Sequence, residues 1–237
     1  MTSNLSIDWN ELTPTWKNFQ VEPFSNGIHV VRINISKNLH HISDQKHLLK
    51  NPEQQKLSRI VKQGDKNIFL CSQVMKRIVC GQYLNIPPDE IEFDFTENKK
   101  PFISGQPDFH FNISHSGNWI IMILSNNPCG IDVEKIQPDF DFDGVMKLTY
   151  HPDEIGYVQR SPDQHKAFFR IWTIKESFLK ATGVGLIDNL SDLNMIKNST
   201  LLENPIPWKI QSFMVDGGYW CSFCFKSQNP KINFYEY

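Results

Sequence analysis

The 237-residue chain is 40% hydrophobic and 21% charged with a formal net charge of -2, ordinary globular statistics that leave room for one large domain or two half-size ones. A near-neutral balance excludes a nucleic-acid binder of the polycationic type, so any affinity for phosphate has to come from a local basic patch. The N-terminal MTSNLSIDWNELTP lacks a basic start followed by an apolar core, and the longest strongly apolar run, Trp119 to Leu124, is too short to span a bilayer. The expectation is a cytoplasmic protein with no membrane partner.

Along the chain, Ile28 to Ser36 is rich in β-branched residues and predicts a strand. A helix is expected from about Asp44 to Val61. It carries most of a basic stretch, Lys46, Lys50, Lys56, Arg59, Lys62 and Lys66, which reads either as a phosphate-binding patch or as a solvated helix face. A second helix follows, with Cys71, Val74, Met75, Ile78 and Val79 at three- and four-residue spacings. Pro87-Pro88 breaks it. Strands are then expected at Ile91 to Phe95, Asp108 to Ser114 and Asn118 to Ser125, with Ser116-Gly117-Asn118 as the turn between the last two.

Asn126-Asn127-Pro128 marks a boundary, because the pattern then begins again with a strand at CGIDVEKI. A helix from about Gln164 to Ala181 follows, then strands at DLNMI, WKIQSFMV and GYWCSFCF, the last two joined at Asp216-Gly217-Gly218. Both halves read strand, helices, strands. The fold class is therefore α/β (α+β): two similar, pseudo-two-fold-related subdomains, 1–126 and 127–237, each a small sheet packed with helices. Cys221 and Cys224 form a CxxC inside an alternating strand with no second metal-ligand pair, and the five cysteines read as reduced, packed thiols.

Three blocks hold residues suited to chemistry. In GIDVE, period two puts Asp132 and Glu134 on one strand face, an arrangement that suits Mg²⁺ or Mn²⁺ between the carboxylates or, equally, a solvated face. Trp172, Glu176 and Lys180 lie four apart on a helical stripe, where Glu176 and Lys180 read either as site residues or as a surface ion pair. In FNISHS, Asn112 and Ser114 share a face opposite Phe111 and Ile113, with His115 entering a turn. That Ser-His neighbour pair has no nucleophile elbow and is not a hydrolase signature.

In order, Asn112 to Ser116, Gly130 to Glu134, and Trp172 to Ser177 with Lys180 resemble the surfactin-synthetase-activating type of 4′-phosphopantetheinyl transferase. Lys100-Pro101 and the Gly-x-Gly stretch Ala181 to Leu186 are similar to flanking blocks of that family. The resemblance implies that a serine of an apo acyl or peptidyl carrier protein attacks the β-phosphate of coenzyme A, releasing adenosine 3′,5′-bisphosphate. It implies Mg²⁺, with Mn²⁺ an option, on Asp132, Glu134 and Glu176. It further implies Glu176 as the candidate base, Lys180 as catalytic and on the pyrophosphate, and coenzyme A contacts from Lys56, Arg59, Lys100, Ser114, His115 and Lys180. The chain would act as a monomer, with the site between its own subdomains.

Two departures from the family pattern stand out. Lys99 precedes the Lys-Pro where Gly is usual, and Asn67-Ile68 occupies a place where an Arg is common, so that either Lys66 substitutes or coenzyme A binds more weakly. The alternatives to a transferase are a divalent-metal phosphatase or nucleotidyl transferase, and a protein that binds coenzyme A or a carrier without catalysis.

Overall fold

The computed structural model describes residues 5–21, 27–185, 190–197, 207–226 and 230–237. Its strands are β1 (Leu5–Leu12), β2 (Trp16–Asn18), β3 (Gly27–Asn34), β4 (Asp94–Phe95), β5 (Pro101–Phe102), β6 (His110–Ser116), β7 (Trp119–Ser125), β8 (Cys129–Lys135), β9 (Trp208–Met214), β10 (Tyr219–Lys226) and β11 (Lys231–Glu236). The helices are α1 (Ile35–Asp44), α2 (Asn51–Arg59), α3 (Gln63–Leu84), α4 (Asp143–Thr149), α5 (Pro152–Arg160) and α6 (Gln164–Thr182). The mixed α/β class expected from the element order is the one that forms.

Two sheets dominate, in orders β2-β11-β3-β7-β6 and β1-β9-β10-β8. Each contains the same unit. A leading strand (β3, β8) pairs antiparallel with the second strand of a later hairpin (β7, β10), whose first strand (β6, β9) lies beyond it. The terminal strands complete the opposite sheets: β1 runs parallel to β9, and β11 parallel to β3. The boundary at 126/127 falls between β7 and β8, and both terminal strands cross it.

Side-chain alternation sets the layers. In β3, Val31 and Ile33 face a core shared with α1 and α3, while Ile28 and Val30 face the other sheet. In β7, Ile120, Met122 and Leu124 join the helix-side core, and Trp119, Ile121 and Ile123 the inter-sheet core. Every residue of β7 is buried, so Trp119 to Leu124 is a continuous apolar run because it is covered on both faces. On the far side α6 packs Ile174, Phe178 and Leu179 onto the second sheet. The result is a four-layer stack, helices, sheet, sheet, helices.

Several expectations need correction. The single helix expected from Asp44 to Val61 is instead the end of α1, a 3-10 turn at Lys46–Leu48, and α2. Pro52 enters α2 in its first turn, where a missing N–H costs nothing, so it starts a helix that cannot be continuous with the one before. The Ile91 to Phe95 strand shrinks to Asp94–Phe95, paired with Pro101–Phe102. DLNMI is no strand: Asp192 ends a 3-10 turn, Asn194 makes an isolated bridge, and a turn begins at Met195. The N-terminal segment contributes β1 and β2, which add parallel strands to edges made elsewhere.

Where turn chemistry was read, it holds. β6 and β7 pair from Ser116 with Trp119, so the turn is Gly117-Asn118, and Gly117 sits at φ +53°, the left-handed region glycine enters without penalty. Cys221 and Cys224, three apart on β10, fall into different cores and are both fully buried, the packing role that the alternation implied. All five cysteines are free and buried. No helix among the described residues is long and apolar enough to cross a membrane.

Candidate active site

β6 and β8 are edge strands of different sheets, and they are joined by side chains. Asn112 Oδ1 accepts from Ile131 N at 2.9 Å, Ser114 Oγ from Val133 N at 3.4 Å and Ser116 Oγ from Lys135 N at 3.0 Å. The polar residues at period two along β6 thus do for β8 what a neighbouring backbone would do in a sheet. They close the joint between the two halves, and at Ile131 and Val133 they satisfy buried N–H groups that would otherwise be costly.

On β8 the odd residues Cys129, Ile131 and Val133 point into the inter-sheet core. Gly130 and Asp132 turn toward α6. A Cβ on Gly130 would lie 2.2 Å from Ala181 N and 2.4 Å from Ser177 O, so the absent side chain is what lets helix and strand approach. Gly130→Ala is therefore expected to drive α6 off β8, lowering stability by ~3 kcal/mol or more, at the top of the overpacking range. Activity should go with it, since α6 carries Glu176 and Lys180. A thermal melt within a degree or two of the parent, with full activity, would contradict this packing.

α6 begins at an Asp163 side-chain cap on Lys166 N (3.0 Å) and ends at Gly183 in the left-handed conformation. Its apolar face is buried and its Trp172, Glu176, Lys180 stripe is half-buried. Lys180 does not pair with Glu176 along the helix. Its Nζ lies 2.5 Å from Asp132 Oδ1 and donates to Ser114 Oγ at 3.1 Å. Ser114 Oγ in turn donates to Asp132 Oδ1 at 2.9 Å, and Ser116 Oγ to Glu134 Oε2 at 3.0 Å. Blocks 112–116, 130–134 and 172–180 meet at one place.

That place is electrostatically overloaded with acid. Burial pushes the Asp132 carboxyl above its ordinary value against the pull of Lys180. Burial, then the charge of Asp132, pushes Glu134 up to about 7, and the same two causes raise Glu176. Asp132 is 3% exposed, so a solvated strand face is ruled out. Its Oδ2 is buried without a hydrogen-bond partner among the described residues. An orphaned carboxylate oxygen on Asp132, beside two glutamates whose pKa values the Asp132 charge raises, offers the oxygen donors a hard divalent cation takes, so these residues fit a bound Mg²⁺. Among the described residues no three His, Cys, Asp or Glu side chains are already gathered as a ready-made cage; Lys180 is what stands on Asp132.

A cavity of about 370 Å³ adjoins the cluster, lined by Asn98 to Pro101, Asn112, Glu176, Leu179, Lys180, Gly183 and Gly185. Lys100 is on its wall. Its Nζ donates to Cys129 O (3.0 Å) and Ala181 O (3.1 Å), tying the β4-β5 loop to β8 and α6, and burial lowers its pKa. Lys99 has φ +62°, so the position calls for the left-handed backbone that glycine supplies, and a lysine there costs roughly 1 kcal/mol.

The remaining predicted contacts are placed apart. Phe111 and Ile113 face the α1 and α3 core, and His115 shares their face of β6, exposed, while Ser114 is buried against Asp132. Partial desolvation of its ring and then the charge of Lys180 lower the His115 pKa. Lys56 and Arg59 are exposed on α2, Lys56 Nζ 5.1 Å from the Phe69 ring centroid; no hydrogen bond or ion pair links them to the carboxylates. Asn67, where an Arg is common, accepts from Gln63 Nε2 at 2.7 Å in the first turn of α3, beside a half-buried Lys66. Leu186, the end of the Gly-x-Gly stretch, lies outside the described residues.

Ser116, which ends the Asn112 to Ser116 block, and the pair Lys175 and Glu154 have no site role expected from the sequence. Ser116 carried a signal, the period-two series Asn112, Ser114, Ser116. The pair had none, since nothing in the sequence links α5 to α6. Lys175 Nζ lies 2.7 Å from Glu154 Oε2, both side chains fully buried. It also donates to Thr149 O (2.8 Å) and Leu190 O (2.9 Å), while Glu154 accepts from His151 N and Met195 N, each at 2.8 Å. This is the frame that holds α6 in place.

Comparison with known proteins places the chain in a family. Residues 128–224 match the model of the 4′-phosphopantetheinyl transferase superfamily and residues 36–127 that of the 4′-phosphopantetheinyl transferase, N-terminal. The chain is 35% identical over 179 residues to 4′-phosphopantetheinyl transferase gsp of Aneurinibacillus migulanus, covering 73% of this chain and 74% of that one. It is 31% identical over 182 residues to 4′-phosphopantetheinyl transferase Sfp of Bacillus subtilis (strain 168), covering 73% and 81%. With HetI, a 4′-phosphopantetheinyl transferase of Nostoc sp., identity is 29% over 168 residues, or 68% and 71% of the two chains. Motifs, fold and relatives converge, and the chain belongs to the 4′-phosphopantetheinyl transferase superfamily.

Proposed function

We propose that the chain transfers the 4′-phosphopantetheine arm of coenzyme A to a serine hydroxyl of an apo acyl or peptidyl carrier protein. The reaction depends on Mg²⁺ and releases adenosine 3′,5′-bisphosphate. The observation that carries this reading is the meeting of Asp132, Lys180 and Ser114, with Glu176 and Lys180 on the wall of an open cavity. Asp132, Glu134 and Glu176 would hold the cation, which supplies charge neutralisation on the pyrophosphate and orients it.

The chain's own groups do the rest. Glu176, whose carboxyl burial makes more basic, takes the proton of the attacking serine. The serine oxygen bonds to the β-phosphorus while the bond from that phosphorus to the bridging oxygen breaks, the bisphosphate leaving with the electron pair. Lys180 donates to the pyrophosphate oxygens as charge builds there. Lys100 lines the adenylate side, and His115 with Lys56 and Arg59 meets the 3′-phosphate from the helix-covered face. Ser114 enters this set through Lys180, whose amine it helps to hold.

The test is incubation with coenzyme A, Mg²⁺ and a panel of apo carrier proteins. Mass spectrometry is expected to show one phosphopantetheine arm added to a carrier serine, and none after chelation of the metal. No gain on any carrier, beside an active control enzyme, would sink the reading.

A further inference from the structure

Ser114 and Ser116 on β6 meet Asp132 and Glu134 on β8 at the same offset of 18 residues. Asp132 has Lys180 as well. Among the described residues, the side-chain hydrogen bond to Glu134 comes from Ser116 alone. The Ser116 hydroxyl has one proton and two lone pairs. The proton goes to Glu134 Oε2 at 3.0 Å, and a lone pair takes the Lys135 N–H at 3.0 Å. One oxygen therefore fixes both a carboxylate and the backbone beside it.

We propose that Ser116 is a positioning residue: its hydroxyl locks the Glu134 carboxylate in the orientation from which it holds the divalent cation. Because the same oxygen closes the last rung of the β6-β8 joint, cation affinity is coupled to the seam between the two sheets. The inference rests on the metal reading of Asp132, Glu134 and Glu176 given above. A glutamate has three rotatable bonds, and a half-buried one facing other acids swings away from them unless held. Partners that hold a metal-binding carboxylate typically account for 10- to 100-fold in affinity, by order of magnitude.

The experiment uses the full chain without coenzyme A, reading Mn²⁺ binding by electron paramagnetic resonance, with thermal melts and the Mg²⁺ dependence of transfer alongside. Ser116→Ala and Ser116→Val are expected to weaken Mn²⁺ binding about 10- to 100-fold, and Ser116→Thr, which keeps the hydroxyl, to stay within about threefold of the parent. The apparent KM for Mg²⁺ should rise with the first two variants, kcat at saturating metal staying near parental. Threonine and valine share a shape and both favour strands, so that pair decides the matter even if Ser116→Ala does not fold. A lower melting temperature in Ser116→Val with parental Mn²⁺ affinity would overturn the proposal and leave Ser116 a strut. Asp132→Ala separates the two levels: if it binds Mn²⁺ like the parent, the metal reading itself fails. If it loses Mn²⁺ while Ser116→Val does not, only the positioning role fails.

Discussion

Asp132→Ala is expected to lower kcat for phosphopantetheine transfer by ~10²–10³-fold or more, about 2.7–4 kcal/mol of transition-state stabilisation, while leaving the protein folded. Asp132 is where the three blocks meet. It takes Lys180 Nζ at 2.5 Å and Ser114 Oγ at 2.9 Å, and its second oxygen has no partner among the described residues. Stability should be unchanged or slightly higher. Burial disfavours this carboxylate in the folded state, and Lys180, 29% exposed, is able to recover hydration when its partner is removed. Loss of function without loss of fold is the mark of a group kept for chemistry. Glu176→Gln should match it in activity, because the amide neither binds a cation well nor accepts the serine proton. Turnover within a factor of about three of the parent in either variant would mean that the site is assigned to the wrong residues.

Lys175→Met is expected to have the opposite signature, a folding defect first and an activity defect only through it. Lys175 uses all three of its N–H donors, on Glu154, Thr149 O and Leu190 O. Burial pushes the Lys175 pKa down and that of Glu154 up, and each ion holds the other charged. Removing the lysine strands a fully buried carboxylate, a cost of ~3–5 kcal/mol. For a chain of this size that is a fall in Tm of about 6–20 °C. Adding Glu154→Gln to Lys175→Met should recover part of it, since the stranded charge is then gone. A Tm for Lys175→Met within about 2 °C of the parent would show that the pair contributes nothing net to stability.

The contrast between neighbours is instructive. Lys175 and Glu176 are adjacent in sequence, and a motif read as a string treats them alike. Helical rotation sends Lys175 into the core against α5 and Glu176 to the rim of the cavity. Ser114 and His115 separate in the same way, because successive strand residues point to opposite faces.

By itself, the sequence determined what local spacing determines. Period-two and period-3.6 patterns located β3, β6 to β10, α3 and α6, and turn residues placed the hairpins at Gly117 and Gly217. The carboxylates and Lys180 were legible because chemistry restricts their residue types and spacing. Lys99 was legible as an exception, and its left-handed backbone explains why glycine is usual there. The rest was decided in three dimensions. β1, β2 and β11 take their partners from the far end of the chain, and no local pattern encodes a parallel strand whose neighbour lies some 200 residues away. Likewise the side-chain seam of Asn112, Ser114 and Ser116 needs two sheet edges to meet. Lys180 reaches Asp132 and not Glu176 because Gly130 lets α6 lie close on β8, where a buried carboxylate attracts the amine more strongly than a half-exposed one along the helix surface.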